Sequence, residues 1–250
     1  MTIIASPHNA RLKSLRRLQR RGERERSGRF LAEGEDLIGA AQRAGRAPLE
    51  GYRLSGSGLG GADFHDVRRD ALKAVSTLAS GTRVIGVYEQ LWSTAAGPLC
   101  VYLHGVADPG NVGTVLRSAH AFGASCVALG PGCADPHSPK AVRASMGAIF
   151  TVKLARVGDV AELPGERIAL LPDAAEALCA SRHDEVEART LLVGGEREGL
   201  PPEVVATCER SARLAIATES LNAAMAATVA LYELTRQASV PPASSRVRAS

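Results

Sequence analysis

Aromatic residues are scarce in this 250-residue chain: Phe, Tyr and Trp together make up 4% of it, with a single Trp. The hydrophobic residues, 45% of the total, must therefore build their core from Ala, Val and Leu, and a chain of this length has room for one large or two modest domains. No run approaches the roughly 18 uninterrupted apolar residues that would span a bilayer, and residues 1–6 carry no signal-peptide pattern, so a cytoplasmic protein is expected. The five cysteines, at 100, 126, 133, 179 and 208, form no CxxC pair, which argues against a zinc site and against a disulfide framework. Six scattered histidines without HxxxH or HExxH spacing leave no metal centre to expect.

Charge is present but uneven. The formal net charge is +4, yet residues 1–30 hold nine Lys/Arg against two Glu, a local +7 that leaves the other 220 residues near −3. A solvated helix face is the plain reading of Arg11, Lys13, Arg16, Arg17, Arg20, Arg21, Arg24, Arg26 and Arg29. Glu23 and Glu25 can pair with few of them, however, and so one-sided an excess points to a polyanionic partner.

Leu12, Leu15 and Leu18 recur at helical spacing within residues 8–20, and Phe30-Leu31-Ala32-Glu33-Gly34 reads as a short strand entering a turn. A helix over 35–44 closed by Gly45, a strand at 52–54, a helix at 66–79 and a strand at 84–87 complete a compact α/β unit over residues 1–95. Within it, Gly56-Ser57-Gly58-Leu59-Gly60-Gly61 satisfies GxGxxG, the one hint of a nucleotide-dependent oxidoreductase. Only three strand-like residues precede it, and position 81, where a ribose-binding acid would sit, is Gly; a flexible surface loop is the better reading.

From about residue 98 the pattern changes to strands at 99–106, 125–129, 149–154, 167–171, 190–193 and 212–217 alternating with helices, which implies a mainly parallel sheet in a second domain over 98–238. Residues 239–250 read as a disordered tail by composition.

Three segments of the second half place polar side chains where an apolar strand-like run meets a helix, the position at which open α/β sheets bind ligands. In Pro109-Gly110-Asn111-Val112-Gly113-Thr114-Val115-Leu116-Arg117, Asn111 suits a helix cap, and the apolar face formed by Val112, Val115, Leu116, Ala119 and Phe122 turns Arg117 to the opposite side. In Leu192-Val193-Gly194-Gly195-Glu196-Arg197-Glu198-Gly199-Leu200-Pro201, the glycine pair is either a tight turn or a place where backbone approaches a ligand. In Glu219-Ser220-Leu221-Asn222-Ala223-Ala224-Met225-Ala226, Ser220 and Asn222 start an alanine-rich helix whose Leu221, Met225, Thr228, Val229 and Tyr232 read as a core stripe.

Together the three segments resemble the three motifs of the SpoU-type, TrmH-like RNA 2'-O-ribose methyltransferases of the SPOUT superfamily. That resemblance implies an α/β fold whose mainly parallel sheet ends in a C-terminal trefoil knot, one of the rare exceptions to unknotted topology. Asn9-Ala10-Arg11-Leu12-Lys13-Ser14-Leu15 with Gly28-Arg29-Phe30-Leu31-Ala32-Glu33-Gly34 looks like the smaller L30e-like RNA-binding domain that precedes many such catalytic domains.

By the same resemblance the cofactor is S-adenosylmethionine, surrounded by backbone at Gly194, Gly195, Ile216 and Leu221. Asn111, Arg117, Glu196, Ser220 and Asn222 are the catalytic candidates, with Glu196 orienting groups across the site. Arg117 has been assigned base action in the family, but a guanidinium is protonated at any workable pH, so holding phosphate and ribose suits it better.

Pro139-Lys140-Ala141-Val142-Arg143-Ala144-Ser145-Met146-Gly147 also matches, putting Lys140 and Arg143 beside Arg11, Lys13, Arg16, Arg17, Arg20 and Arg21 as RNA-binding candidates. The implied partners are structured RNA, ribosomal in preference to transfer RNA, and a second copy of the chain. One departure stands out: Ile216-Ala217-Thr218-Glu219-Ser220 is shorter than the family's stretch and lacks its Ile-Pro and Gly. A trimmed loop is what a non-catalytic RNA-binding or ribosome-assembly protein that kept the fold would show.

Overall fold

Two sheets organise the chain, which a computed structural model describes over residues 3–78, 80–178, 187–218 and 220–236. The expected tail, 239–250, lies outside those residues, as do Cys179 and Glu219. The N-terminal lobe opens with α1 (Ala10–Leu18), which buries Leu12, Leu15 and Leu18 on one face and is capped by Asn9, whose side chain accepts the Arg11 amide at 2.9 Å. This is the helix that the leucine spacing within residues 8–20 predicted, but the basic run extends beyond it. It breaks at Gln19 and Arg20 and resumes as α2 (Arg21–Ser27).

The lobe continues through β1 (Arg29–Glu33), α3 (Glu35–Arg43), β2 (Glu50–Leu54), β3 (His65–Val67), α4 (Arg69–Lys73) and β4 (Val84–Glu89), in the sheet order β1-β4-β2-β3. The helix expected over 66–79 is thus largely absent. His65, Asp66 and Val67 pair instead with β2, where Arg53 holds the Asp66 carboxylate at 2.9 Å and Val67 is fully buried, so tertiary pairing overrides local propensity. Gly56–Gly61 joins two adjacent strands and is followed by no helix until Arg69, which removes the dinucleotide reading.

The second lobe contains β5 (Leu99–His104), α5 (Pro109–Ala121), β6 (Cys126–Leu129), α6 (Pro139–Ala144), β7 (Lys153–Arg156), β8 (Glu166–Leu170), β9 (Arg189–Gly194), α7 (Pro202–Val205), β10 (Arg210–Ala212) and α8 (Ala223–Thr235). Its strands lie in the order β10-β8-β9-β5-β6-β7, every neighbouring pair parallel. Central strands such as β5 and β9 are almost wholly buried, as near-continuous apolar runs in a helix-covered parallel sheet should be.

Two strands start or stop elsewhere than expected. Ala148, Ile149 and Phe150 form a 3-10 turn ahead of β7, which delivers the Phe150 ring to within 4.8 Å of Tyr88 and 6.0 Å of Phe30. β10 ends at Ala212, freeing the following residues to line a cleft.

The core is continuous between the lobes: Phe30, Ala32, Leu37 and Ile38 pack into the same cluster as Val142, Ile149 and Phe150. A buried ion pair joins them as well. Arg24 of α2 is 3% exposed and reaches Asp135, beyond β6, at 2.6 Å, while donating to the carbonyls of Leu18 and Gln19.

Candidate active site

The C-terminal ends of β8, β9 and β10 open onto a cleft of about 1210 Å³, walled by residues 193–200 on one side and by 213–218, Ser220 and Leu221 on the other. Ligands bind at this edge of an open parallel sheet because backbone groups there are released from the ladder. Gly194, Gly195, Glu196, Ile216, Ser220 and Leu221 all line it. No hydrogen bond within the described residues occupies the amides of Ala215, Ile216, Ala217 or Leu221, so the main chain offers donors to an incoming group.

The glycine pair has a different first purpose from ligand approach. A Cβ at Gly194 would overlap the Gly199 carbonyl carbon and the Leu200 amide, and one at Gly195 would overlap the Gly105 carbonyl. The chain's own backbone presses on both positions, folding residues 194–200 into the compact rim that gives the cleft its wall.

At the mouth, three side chains from three separate segments meet, Glu196 on the cleft lining and Asn111 and Asn222 just outside it. Asn111 Nδ2 donates to Glu196 Oε1, and Asn222 Nδ2 donates to Asn111 Oδ1 at 3.2 Å. Asn111 is free to do this because it is not the cap expected of it: Asp108 caps α5, accepting the amides of Gly110 at 2.6 Å and Asn111 at 3.1 Å, with Pro109 at the first helical position. The Asp-Pro pair is the local signal that should have located the cap. Asn222 does cap its helix, accepting from Ala224 and Met225, while its amide nitrogen turns to Asn111.

Asp108 is a neighbour of the site to which no sequence motif pointed. It holds Lys140 Nζ at 2.6 Å, and that ion pair with the two amides keeps its carboxyl below the usual carboxylate range. Gly113 serves packing, since a Cβ there would strike the Ala141 carbonyl of α6.

Arg117 stands apart from this cluster. It is exposed on the outer side of α5, makes no hydrogen bond or ion pair among the described residues, and does not line the cleft. Arg143 is half-buried and donates to Thr77 Oγ1 at 2.8 Å, tying the lobes together through a hydroxyl that also bonds the buried Glu33. Of the basic tract, Arg11, Lys13, Arg17, Arg20 and Arg21 are exposed. Arg21 pairs with Glu25 at 2.8 Å, and Arg16 donates to the Ala74 carbonyl at 3.1 Å.

Three of the five residues expected to form a core stripe on α8 face outward instead: Met225 is 60%, Tyr232 49% and Val229 39% exposed, while Leu221 and Thr228 are half-buried. The buried face carries Ala223, Ala224, Ala227 and Ala230, followed by Leu231 and Leu234, and its small residues let α8 lie against α5, where Ser118 and Thr228 hydroxyls meet at 2.6 Å. Tyr232 of this stripe meets Phe122, the C-cap of α5, edge-on at 6.2 Å between ring centroids, so the exposed stripe borders α5.

Residues 98–232 match the model of the SpoU rRNA Methylase family, and residues 9–96 match that of an MRM3-like substrate binding domain. The chain belongs to the SpoU rRNA methylase family. It is 28% identical to the 23S rRNA (guanosine(2553)-2'-O)-methyltransferase RlmP of Bacillus subtilis, over 94% of this chain and 99% of that protein. A Syntrophobacter fumaroxidans protein named ribosomal RNA small subunit methyltransferase G 2 is 43% identical over 56% of this chain, which spans 28% of that longer relative. In three dimensions the chain superposes on the AdoMet-bound rRNA methyltransferase of Sinorhizobium meliloti with a TM-score of 0.81 and 28% identity, covering 94% of this chain and 98% of that one.

Among the described residues no three His, Cys, Asp or Glu side chains are grouped to hold a metal ion, and no helix is long and apolar enough to cross a membrane.

Proposed function

We propose that this protein transfers the methyl group of S-adenosylmethionine to a ribose 2'-hydroxyl of structured RNA, ribosomal RNA before transfer RNA, in the cytoplasm. The observation that carries the reading is the junction of Asn111, Glu196 and Asn222 at the mouth of a cleft with unpaired backbone amides. These three residues are distant in sequence, and nothing about packing a core requires them to meet.

The cleft fits the cofactor in size and chemistry: apolar walls at Ile216, Leu221 and Leu200 suit a purine, and free amides at 215–217 and 221 suit its polar edge. Ile216, Ala217, Thr218 and Ser220 line a cleft that stays open, so the non-catalytic alternative is not favoured. When bound, S-adenosylmethionine supplies an electrophilic methyl carbon on its sulfonium. Gly194, Gly195, Ile216 and Leu221 would hold it, and the protein's own contribution is orientation of the ribose.

Asn111 and Asn222 present amides that can fix the 2'-oxygen, Ser220 adds a hydroxyl at the cleft, and Glu196 fixes the orientation of Asn111. Arg117, permanently charged, clamps the adjoining phosphate and ribose. Because Arg117 lies outside its own cleft, the site is composite in a homodimer: a second copy covers Met225, Val229 and Tyr232, and Arg117 serves the partner's site. Residues 1–95 form the RNA-gripping domain, through Arg11, Lys13, Arg16, Arg17, Arg20 and Arg21 with Lys140 and Arg143, and 98–238 form the catalytic domain, its chain closing in a trefoil knot.

Incubation of the protein with unmodified ribosomal RNA and methyl-labelled S-adenosylmethionine tests this. Label should reside in alkali-resistant dinucleotides, since a 2'-O-methyl group blocks cleavage of the neighbouring phosphodiester. Label on a base, or none, would overturn it.

A further inference from the structure

A second cavity, of about 380 Å³, lies on the same sheet edge at the C-terminal ends of β6 and β7, where α2 of the N-terminal lobe leans over the catalytic lobe. Arg21, Glu25, Trp92, Pro131 and Arg156 line it. The guanidinium of Arg156 lies over the chain's single Trp, 4.1 Å from the ring centroid, while His137 meets the ring edge-on at 5.2 Å. Arg156 is exposed and has no ion-pair partner among the described residues.

Asp135 also lines the cavity, but its carboxylate is held by buried Arg24 at 2.6 Å, and Glu25 pairs with Arg21 at 2.8 Å, which leaves the charge of Arg156 uncompensated by a lining carboxylate. The loops along this edge are contiguous. The Gly105 amide donates to the Pro131 carbonyl at 2.9 Å, and Gly105 in turn backs Gly195 of the cleft rim.

We infer that this cavity is a nucleotide subsite of the RNA substrate, taking one unpaired base on the outer plane of Arg156 and its phosphate on Arg21. The inference rests on the methyltransferase reading above and extends it. Single-stranded RNA is read by stacking bases on aromatic rings or guanidinium planes, and a guanidinium pinned on an indole is already held in place for stacking. Arg21 belongs both to this cavity and to the basic tract, so a strand following the tract reaches the cavity before the cleft mouth. The cavity is too small for a helix, and with Arg21 paired to Glu25 and Asp135 held by buried Arg24 the excess charge is that of Arg156, which fits a nucleotide rather than an apolar peptide.

The test uses the full chain, an unmodified 23S ribosomal RNA transcript, and Arg156→Ala and Arg156→Lys variants whose unchanged melting shows that they fold. Arg156→Ala should raise both KM and the filter-binding Kd for the transcript about tenfold. Its kcat and its affinity for S-adenosylmethionine should stay within about twofold, the pattern of lost ground-state binding. Arg156→Lys keeps the charge but not the plane and should resemble Arg156→Ala. An unchanged Kd in Arg156→Ala, or full rescue by Arg156→Lys, would overturn the subsite. A wild-type protein that binds the transcript but transfers no methyl would count against the parent reading alone, and the Kd comparison would still decide the subsite.

Discussion

Replacing Asp135 by Ala strands a buried guanidinium. Arg24 has a side chain only 4% exposed; its Nε and Nη2 reach Asp135 Oδ2 at 2.7 and 2.6 Å, and its Nη1 is committed to two backbone carbonyls, so it can neither swing to water nor lose its proton. Removing one member of such a pair costs about 3–5 kcal/mol, because the remaining charge is left uncompensated. Loss of the bond that Asp135 accepts from the His137 amide at 2.8 Å adds about 1 kcal/mol. Against a total stability of about 5–15 kcal/mol that is a large share.

With an m-value of about 3 kcal/mol/M, a total loss of about 4–6 kcal/mol should lower the urea midpoint by about 1.3–2 M. Because the pair joins α2 to the loop beyond β6, its removal should also loosen the lobes. Arg24→Met combined with Asp135→Ala should recover most of the midpoint, since the orphan charge is then gone. Urea unfolding of the two single variants and the double variant measures all of this. A destabilisation below about 1 kcal/mol in Asp135→Ala would mean that the pair behaves as a solvated surface pair, which would refute the burial argument.

Arg117→Ala should abolish methyl transfer while melting and S-adenosylmethionine affinity, read by calorimetry, stay unchanged; full activity would remove Arg117 from the site. Neutralising Arg16, Arg17, Arg20 and Arg21 together should weaken RNA binding and flatten the slope of log K against log salt by roughly 0.7–0.9 for each phosphate no longer neutralised, as filter binding across a salt series would show. Burial against Phe30 and Trp92 pushes the His137 imidazole down to about 4, from 6.5. The folded state therefore favours neutral His137: its contribution is full above pH 6.5 and is lost as pH falls toward 4, about 3 kcal/mol in all, and His137→Phe should flatten that part of the stability–pH curve.

Local pattern made the strands of the second lobe legible, because buried parallel strands are contiguous apolar runs and many of their ends sit at Gly or Pro. β5, β6, β8 and β9 fell within two residues or so of their expected limits, whereas β10 stopped five residues early. What failed depended on partners distant along the chain. β3 forms because β2 is beside it, not because of its own composition. Arg24 looked like one more solvated arginine until Asp135, 111 residues on, proved to be its counter-ion.

The outward turn of Met225, Val229 and Tyr232 was hidden for a related reason: periodicity marks an apolar face but does not say which of two faces the small residues claim. The meeting of Asn111, Glu196 and Asn222 could not be derived from spacing at all. It was reached only through the combined resemblance of three motifs, and Arg117, another of the five candidates, is exposed on α5 and outside the cleft lining.

Methyl transfer by this protein requires one methyl donor to sit between the glycine rim and the wall formed by residues 213–218, Ser220 and Leu221, with Asn111, Glu196 and Asn222 at the open end. A crystal structure of the protein with S-adenosylmethionine would decide this. The ligand should lie within that cleft, hydrogen-bonded to amides among 215–217 and 221, with its methyl group toward Asn111. A ligand bound elsewhere, or a cleft that stays empty at saturating concentration, would show the reading to be wrong.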